Sequence, residues 1–180
     1  MASYQKIRLG ILAISDRAFN GTYQDASGKM IARTLKSLIT NPFAIDYVLV
    51  PDEKRRIMAA LRTLCDQQKC SLVITTGGTG PAKRDVTPEA TQKVCEKLLP
   101  GFGEVMRSAS LRQTPTAILS RQGAGLRKKT LIINLPGSPK AIAPCLNAIA
   151  GALADCLTVL GGPKIYYRKK QFNINHHQRS

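Results

Sequence analysis

The chain has 180 residues, 43% of them hydrophobic, which suits one domain with a sizeable core and leaves too little for two of usual size. Its 27 Lys and Arg against 11 Asp and Glu give a formal charge of +16, a field that draws polyanions, either nucleic acid or small phosphorylated molecules. Five cysteines form no C-x-x-C pair, which argues against structural zinc and a disulfide framework, and the two histidines, His176 and His177, stand at the far end, which argues against a histidine-dependent triad.

The amino end, "MASYQKIRLGILAI", passes from cations into an apolar run that Asp16 and Arg17 close, with no small-residue cleavage site. It reads as a first strand over 7–14. No apolar run near the ~20 residues needed to cross a bilayer is expected, so the chain reads as cytoplasmic with no membrane partner. Further segments rich in Ile, Leu and Val follow at 43–50, 71–76 and 130–135, dense enough for a parallel sheet buried on both faces. Helical periodicity lies between them, with Ile31, Leu35 and Leu38 on one face, then Ile57, Leu61 and Leu64. Thr87 is placed to cap a third helix, with Pro88 and Glu89 in its first turn. The stretch "TAILSR" predicts a strand that turns through Gly123 and Gly125 into the next, forming a hairpin. A last helix begins with Ser138 as cap and Pro139 first, and Pro144 inside it predicts a kink or a delayed start. The fold class is α/β, a three-layer sandwich with a mostly parallel sheet flanked by helices plus a small hairpin, as one domain over 1–163 with a basic tail over 164–180.

The stretch "TTGGTGPAKRDVTPEA" (75–90) carries the chemistry. It is not a P-loop, because Ala82, Lys83 and Arg84 stand where Gly, Lys and Ser or Thr belong, and it is not the dinucleotide fingerprint, because Lys83 replaces a glycine. Gly77, Gly78 and Gly80 let backbone approach a ligand, Lys83 and Arg84 face phosphate as candidates, and Asp85 adds a carboxylate. Ligands of open α/β sheets collect beyond the carboxyl ends of the strands, so Ser15, Asp16, Asp52, Asp85, Asn134 and Gly137 share one rim. Each has a plainer reading. Asp52 is a natural N-cap, Asp16 can pair with Arg17, and Asn134 can satisfy backbone groups before Pro136. From Val105 to Ala154 no acid occurs while seven cations do, which fits either a solvated face or a functional basic patch.

The blocks "ISDRA", "YQDASG", "VPDE", "TTGGTGPAKRDVTPEAT", "PGFGEVMR", "TAILSRQGAGLR" and "NLPGSPKA" are collinear and together resemble the molybdopterin adenylyltransferases, the bacterial Mog-type enzymes and the related gephyrin G domain. The resemblance covers residues 6 to 160. It implies transfer of AMP from ATP to the terminal phosphate of molybdopterin, with Mg²⁺, release of pyrophosphate and hand-over of the product to a separate molybdenum insertase. It further implies that Asp52 and Asp85 hold the metal and are required for catalysis. Gly77, Gly78, Thr79 and Gly80 would meet the nucleotide and its phosphates, while Ser15, Ser110, Ser120 and Asn134 would line one shared cleft, beside Asp16, Pro136 and Gly137 of the same rim. The family is typically a homotrimer. Two other readings stand beside it: a Moa-type pterin-binding relative of low or no activity, and a basic nucleic-acid-binding module. Against the second, the chain has no helix-turn-helix signature and only nine Phe plus Tyr, so no nucleic acid is expected.

Overall fold

In the computed structural model, which describes residues 7–168, strands and helices alternate around one sheet. The strands are β1 (Ile7–Ile14), β2 (Phe43–Val50), β3 (Leu72–Thr76), β4 (Lys97–Leu98), β5 (Gly123–Arg127) and β6 (Thr130–Leu135), in spatial order β2-β1-β3-β6-β5-β4. The first four in that order are parallel, whereas β5 runs antiparallel to β6 and β4 antiparallel to β5. Every residue of β3 and of β6 is buried, as expected of parallel strands covered on both faces.

The helices are a single turn α1 (Asp16–Phe19), α2 (Ala26–Leu38), α3 (Lys54–Arg62), α4 (Thr87–Val94), α5 (Pro100–Leu111) and α6 (Pro139–Val159). Alternate residues of the central strands point to opposite layers. Leu9, Ile11, Ile74, Leu131 and Ile133 join Ile31 and Leu35 of α2, Met106 of α5 and Ile142, Leu146 and Ile149 of α6. Leu12, Ile14, Val73 and Ile132 join Ile57 and Leu61 of α3 and Ala90 and Val94 of α4. The sandwich therefore has three layers.

Four expectations are corrected. "TAIL" lies within a 3₁₀ turn over Pro115–Leu119, and the first strand of the hairpin is β5, because Gly125 lies against Cys95 and the Lys97 carbonyl, where a side chain would not fit. Thr87 is the first helical residue of α4, after Val86, and its hydroxyl turns back to donate to the Gly77 carbonyl at 2.8 Å. Pro144 does not delay α6, which starts at Pro139 and is assigned helix for 21 residues through it. That helix, with mean hydropathy 1.6, is also long and apolar enough to cross a membrane by length and composition, contrary to expectation. It buries Ile142, Cys145, Leu146, Ile149, Ala150, Leu153 and Leu157, which makes it a wall of the core.

Residues just after 163 make contacts with the body. Ile165 is buried, Tyr167 bridges to Ile39, and the Thr40 amide donates to the Tyr166 carbonyl at 2.8 Å, so 164–168 continue the body. The rest of the tail, with His176 and His177, lies outside the described residues. All five cysteines are free thiols.

A π-helical turn, Thr63–Gln67, follows α3 and presents Asp66 to the β5–β6 hairpin. Arg127 Nη2 donates to Asp66 Oδ2 at 2.5 Å and its Nη1 to the Val94 carbonyl at 2.9 Å, with Lys128 Nζ 3.1 Å from Asp66 Oδ1. The Arg127 hydrogen bond holds the Asp66 carboxyl below its ordinary pKa despite the opposing effect of burial. A lowered folded-state value means that this stability is present above the unfolded carboxyl pKa of about 3.9 and is lost as pH falls through the native one. Asp66→Asn is expected to cost about 1–2 kcal/mol at pH 7 in urea unfolding. The gap from wild type should close below about pH 4.

Candidate active site

The chain passes from β1 out to β2 and then back across β1 to β3, so the strand order reverses between β1 and β3. A crevice opens at such a switch point because the two connections leave in opposite directions. The strand ends are in register there, with Ile14 opposite Val50, Ala13 opposite Thr76, and Thr76 opposite Leu135. A first cleft of about 380 Å³ occupies this point, lined by Ile14, Ser15, Asp16, Tyr23, Asp25, Ser27, Asp52, Gly77, Gly78, Asp85 and Gly137 among others.

Two glycines make its floor. Gly77 has φ +100°, and a Cβ there would collide with the Ile14 carbonyl oxygen. Gly78 has φ +63°, and a Cβ there would collide with Thr87 Oγ1 and stand 3.1 Å from Asp52 Oδ1. Only glycine meets both the left-handed backbone and the approach.

Asp52 is not an N-cap. Glu53 occupies that position of α3, and Asp52 Oδ2 instead accepts from the Asp16 amide at 2.8 Å, while the Asp52 amide donates to Asp16 Oδ1 at 3.0 Å. This two-way bond joins the ends of β1 and β2. Burial pushes the Asp52 carboxyl above its ordinary pKa, although the bond from the Asp16 backbone works the other way. Asp16 pairs with Arg84, not Arg17: Arg84 Nη2 donates to both its oxygens at 2.7 Å, which holds its pKa down. Asp85 Oδ2 accepts from the Ala82 amide at 2.9 Å, closing the 82–85 turn. Asp52 and Asp85 thus each have one oxygen fixed by a backbone N–H, and neither Oδ1 has a hydrogen bond among the described residues.

The single shared cleft of the sequence reading is divided. Ser110, Ser120 and Pro136 line a second cleft of about 450 Å³, with Gln113, Thr114, Gln122, Ser138 and Lys140. The two clefts meet along one strand of backbone, because Pro136 and Ser138 face the second and Gly137 between them faces the first. Thr79 lies at their junction, buried, its hydroxyl 3.4 Å from that of Ser120. Asn134 lines neither cleft. It is 3% exposed in the sheet, where its Oδ1 accepts from Thr75 and Thr91 at 3.0 Å each, so its short polar side chain ties β6 to β3 and α4. Gly80 and Lys83 belong to the loop but not to the cleft walls, and Lys83 is exposed.

Tyr23, Asp25 and Ser27 are site residues that the pattern did not single out. Asp25 caps α2 through the Ser27 and Gly28 amides and accepts from Tyr47 at 2.8 Å, and Ser27 donates to the Gly137 carbonyl at 2.7 Å. The Asp-x-Ser spacing of a helix start was the available signal.

Mg²⁺ fits this donor set. It uses one or two carboxylates plus substrate phosphate oxygens, and Asp52 and Asp85 offer two carboxylates with free oxygens to one cleft. Among the described residues no group of three or more His, Cys, Asp or Glu could hold a metal alone, so ligand oxygens would have to complete the shell.

Fold and site together define a class: an α/β domain with a polar cleft at the point where the strand order reverses. A family model described as "Probable molybdopterin binding domain" matches residues 10–155, and the chain belongs to that family. It is 52% identical over 166 residues to the molybdopterin adenylyltransferase of Helicobacter pylori J99, covering 92% of this chain and 94% of that one. It is 45% identical over 171 residues to the molybdopterin adenylyltransferase of Escherichia coli K12, covering 88% of each. The crystal structure of the molybdopterin biosynthesis enzyme MoaB from Thermus thermophilus superposes with a TM-score of 0.80 at 44% identity, over 88% of this chain and 99% of that one.

Gly78→Ala is expected to cost about 1–3 kcal/mol in denaturant unfolding, from left-handed strain and the contact with Thr87. Gly137→Ala should be close to neutral in the same measurement, because a Cβ there meets only the Gly77 backbone, at 3.4 Å or more.

Proposed function

We propose that this protein is a molybdopterin adenylyltransferase, transferring AMP from ATP to the terminal phosphate of molybdopterin and releasing pyrophosphate. The observation that carries the reading is the pair Asp52 and Asp85, both on the switch-point cleft and each with one oxygen pinned and one free. The 52% identity to a molybdopterin adenylyltransferase over 92% of the chain supports the choice of substrates.

The nucleophile in this reaction is an oxygen of the terminal phosphate of molybdopterin, already anionic, so no histidine base is required. It attacks the α-phosphorus of ATP, the new P–O bond forms, and the bond to the bridging oxygen of the β-phosphate breaks, with pyrophosphate leaving. Asp52 and Asp85 would hold Mg²⁺, which would supply neutralisation of phosphate charge. The amides of Gly78, Thr79 and Gly80 would meet phosphate, while Gly77, whose amide donates to the Leu135 carbonyl, shapes the loop. Lys83 supplies long-range attraction from an exposed position, and Arg84 is drawn from Asp16 toward the ligand. Ser15 and Asp16 order the Asp52 side of the first cleft. The second cleft, with Ser110, Ser120 and Pro136, takes the pterin, and Gly137 marks the passage between the two. Asn134 acts behind the site, by fixing the strand end that carries Pro136 and Gly137.

The protein works in the cytoplasm as a homotrimer and passes its product to a molybdenum insertase. Sedimentation at micromolar concentration should give three times the chain mass, and a strict monomer would contradict the assembly.

The activity is tested by incubating the protein with molybdopterin and Mg²⁺-ATP and following adenylylated pterin by mass spectrometry. Absence of product with authentic substrate would sink the reading. Asp52→Asn and Asp85→Asn should each lower turnover at least ~100-fold, roughly 2.7 kcal/mol of transition-state stabilisation, with little change in Tm and with pterin binding retained. Near-normal turnover of either variant would remove that carboxylate from the metal site.

A further inference from the structure

Arg121 has a position that its place in a surface loop does not explain. Its amide donates to the Thr79 carbonyl at 2.8 Å, Nε to the Gly80 carbonyl at 3.0 Å and Nη2 to the Asp85 carbonyl at 2.6 Å, while Nη1 bonds Glu89 Oε1 on the first turn of α4. One side chain therefore closes the glycine loop at both ends and ties it to the helix that follows. Elsewhere the loop is tied to the body by Arg84 on Asp16 and by the Gly77 amide on the Leu135 carbonyl, but the Asp85–Ala82 bond is internal to the turn, and only Arg121 joins that turn to the wall of the second cleft among the bonds of the described residues.

The neighbours of Arg121 make the contact more than local. Ser120 and Gln122 on either side of it line the second cleft, and Asp85, whose carbonyl it holds, lines the first. Arg121 itself lines neither cleft. Glu89, its ionic partner, is held in turn: its second oxygen is buried without a hydrogen bond among the described residues, and Arg121 supplies the side-chain hydrogen bond to the first.

We infer that Arg121 is a positioning residue for adenylyl transfer, locking the Gly80–Asp85 turn to the Ser120–Gln122 wall so that the Asp85 carboxylate and the second cleft keep one relative geometry. The inference rests on the reading of Asp85 as a metal-holding residue. A guanidinium is required because three acceptors on Gly80, Asp85 and Glu89 are met by three separate nitrogens in a fixed plane. A lysine ammonium keeps the charge but has a single nitrogen and cannot span them.

The test compares wild type with Arg121→Lys and Arg121→Ala, with Asp85→Asn alongside. Three quantities are read: hydrogen exchange of the amides in 77–86, Mn²⁺ affinity in the presence of ATP by electron paramagnetic resonance, and kcat and KM for molybdopterin. Arg121→Lys should keep its Tm within a few degrees of wild type, exchange that loop ~10-fold faster, bind Mn²⁺ several-fold more weakly and lose ~10- to 100-fold in kcat with KM little changed. Added methylguanidinium should restore part of kcat in Arg121→Ala. If that variant does not fold, the lysine variant alone decides. Wild-type exchange, Mn²⁺ affinity and kcat in Arg121→Lys would overturn the inference, as would a kcat loss that merely follows a fall in Tm with Mn²⁺ affinity unchanged. A wild type that transfers no AMP would defeat the activity reading. Weaker Mn²⁺ binding with a loosened loop in Arg121→Lys would still uphold the positioning role, and unchanged Mn²⁺ binding would end it.

Discussion

The contact on which the site depends is the approach of Gly77 to the carbonyl end of β1. Any side chain at that position would drive β3's outgoing loop away from Ile14, and the crevice at the strand-order reversal would open into a shallow edge. Because the loop can lie flat there, Gly78 brings its backbone against Asp52 and Thr87, and Thr87 can send its hydroxyl back to Gly77. The first cleft is a consequence of two residues that have no side chains.

Around that approach, the charged groups are arranged in a graded way. Asp16 and Asp52 hold each other through main-chain amides, which spends one oxygen of each on geometry. Asp16 then takes Arg84 as a counter-ion, whereas burial leaves Asp52 the less readily ionised of the two. Two carboxylates 36 residues apart in the chain thus sit in different electrostatic settings, one paired with a guanidinium and one raised by burial with one oxygen free of hydrogen bonds among the described residues.

The parallel strands and the helix faces were legible in the chain because a doubly covered sheet leaves long uninterrupted apolar runs, and β1, β2 and β6 begin and end where those runs do. Ser15, Asp16, Asp52, Asp85 and Gly137 do meet at one edge, since strand ends in a parallel sheet are brought together whatever the loops contain, but Asn134 does not join them. What was not legible came from contacts between distant segments. The strand at Gly123–Arg127 has two glycines in five residues and carries no propensity signal; its pairing is set by β6 and by the narrow space beside Cys95. Asp52 as a cap and Asp52 as a partner of the Asp16 amide look the same in one dimension. Asn134 stands at a strand end in the sequence yet faces Thr75 and Thr91, because the side to which a β residue points depends on register as well as on position. The division of one cleft into two follows from the turn at Pro136–Ser138, which no local pattern announces.

The last helix has a bearing on how the molecule comes into being. All six strands are complete by Leu135, and α6 follows them in the chain. During synthesis the sheet and its first four longer helices leave the ribosome ahead of the last of the three helices that cover one face. Until α6 docks, α2 and α5 alone cover that face, leaving the apolar surfaces that meet Ile142, Leu146 and Ile149 open, and α6 itself is an oily 21-residue segment in water. The nascent protein therefore passes through an interval in which it offers two complementary sticky surfaces, and chaperone capture or aggregation competes with folding in that interval.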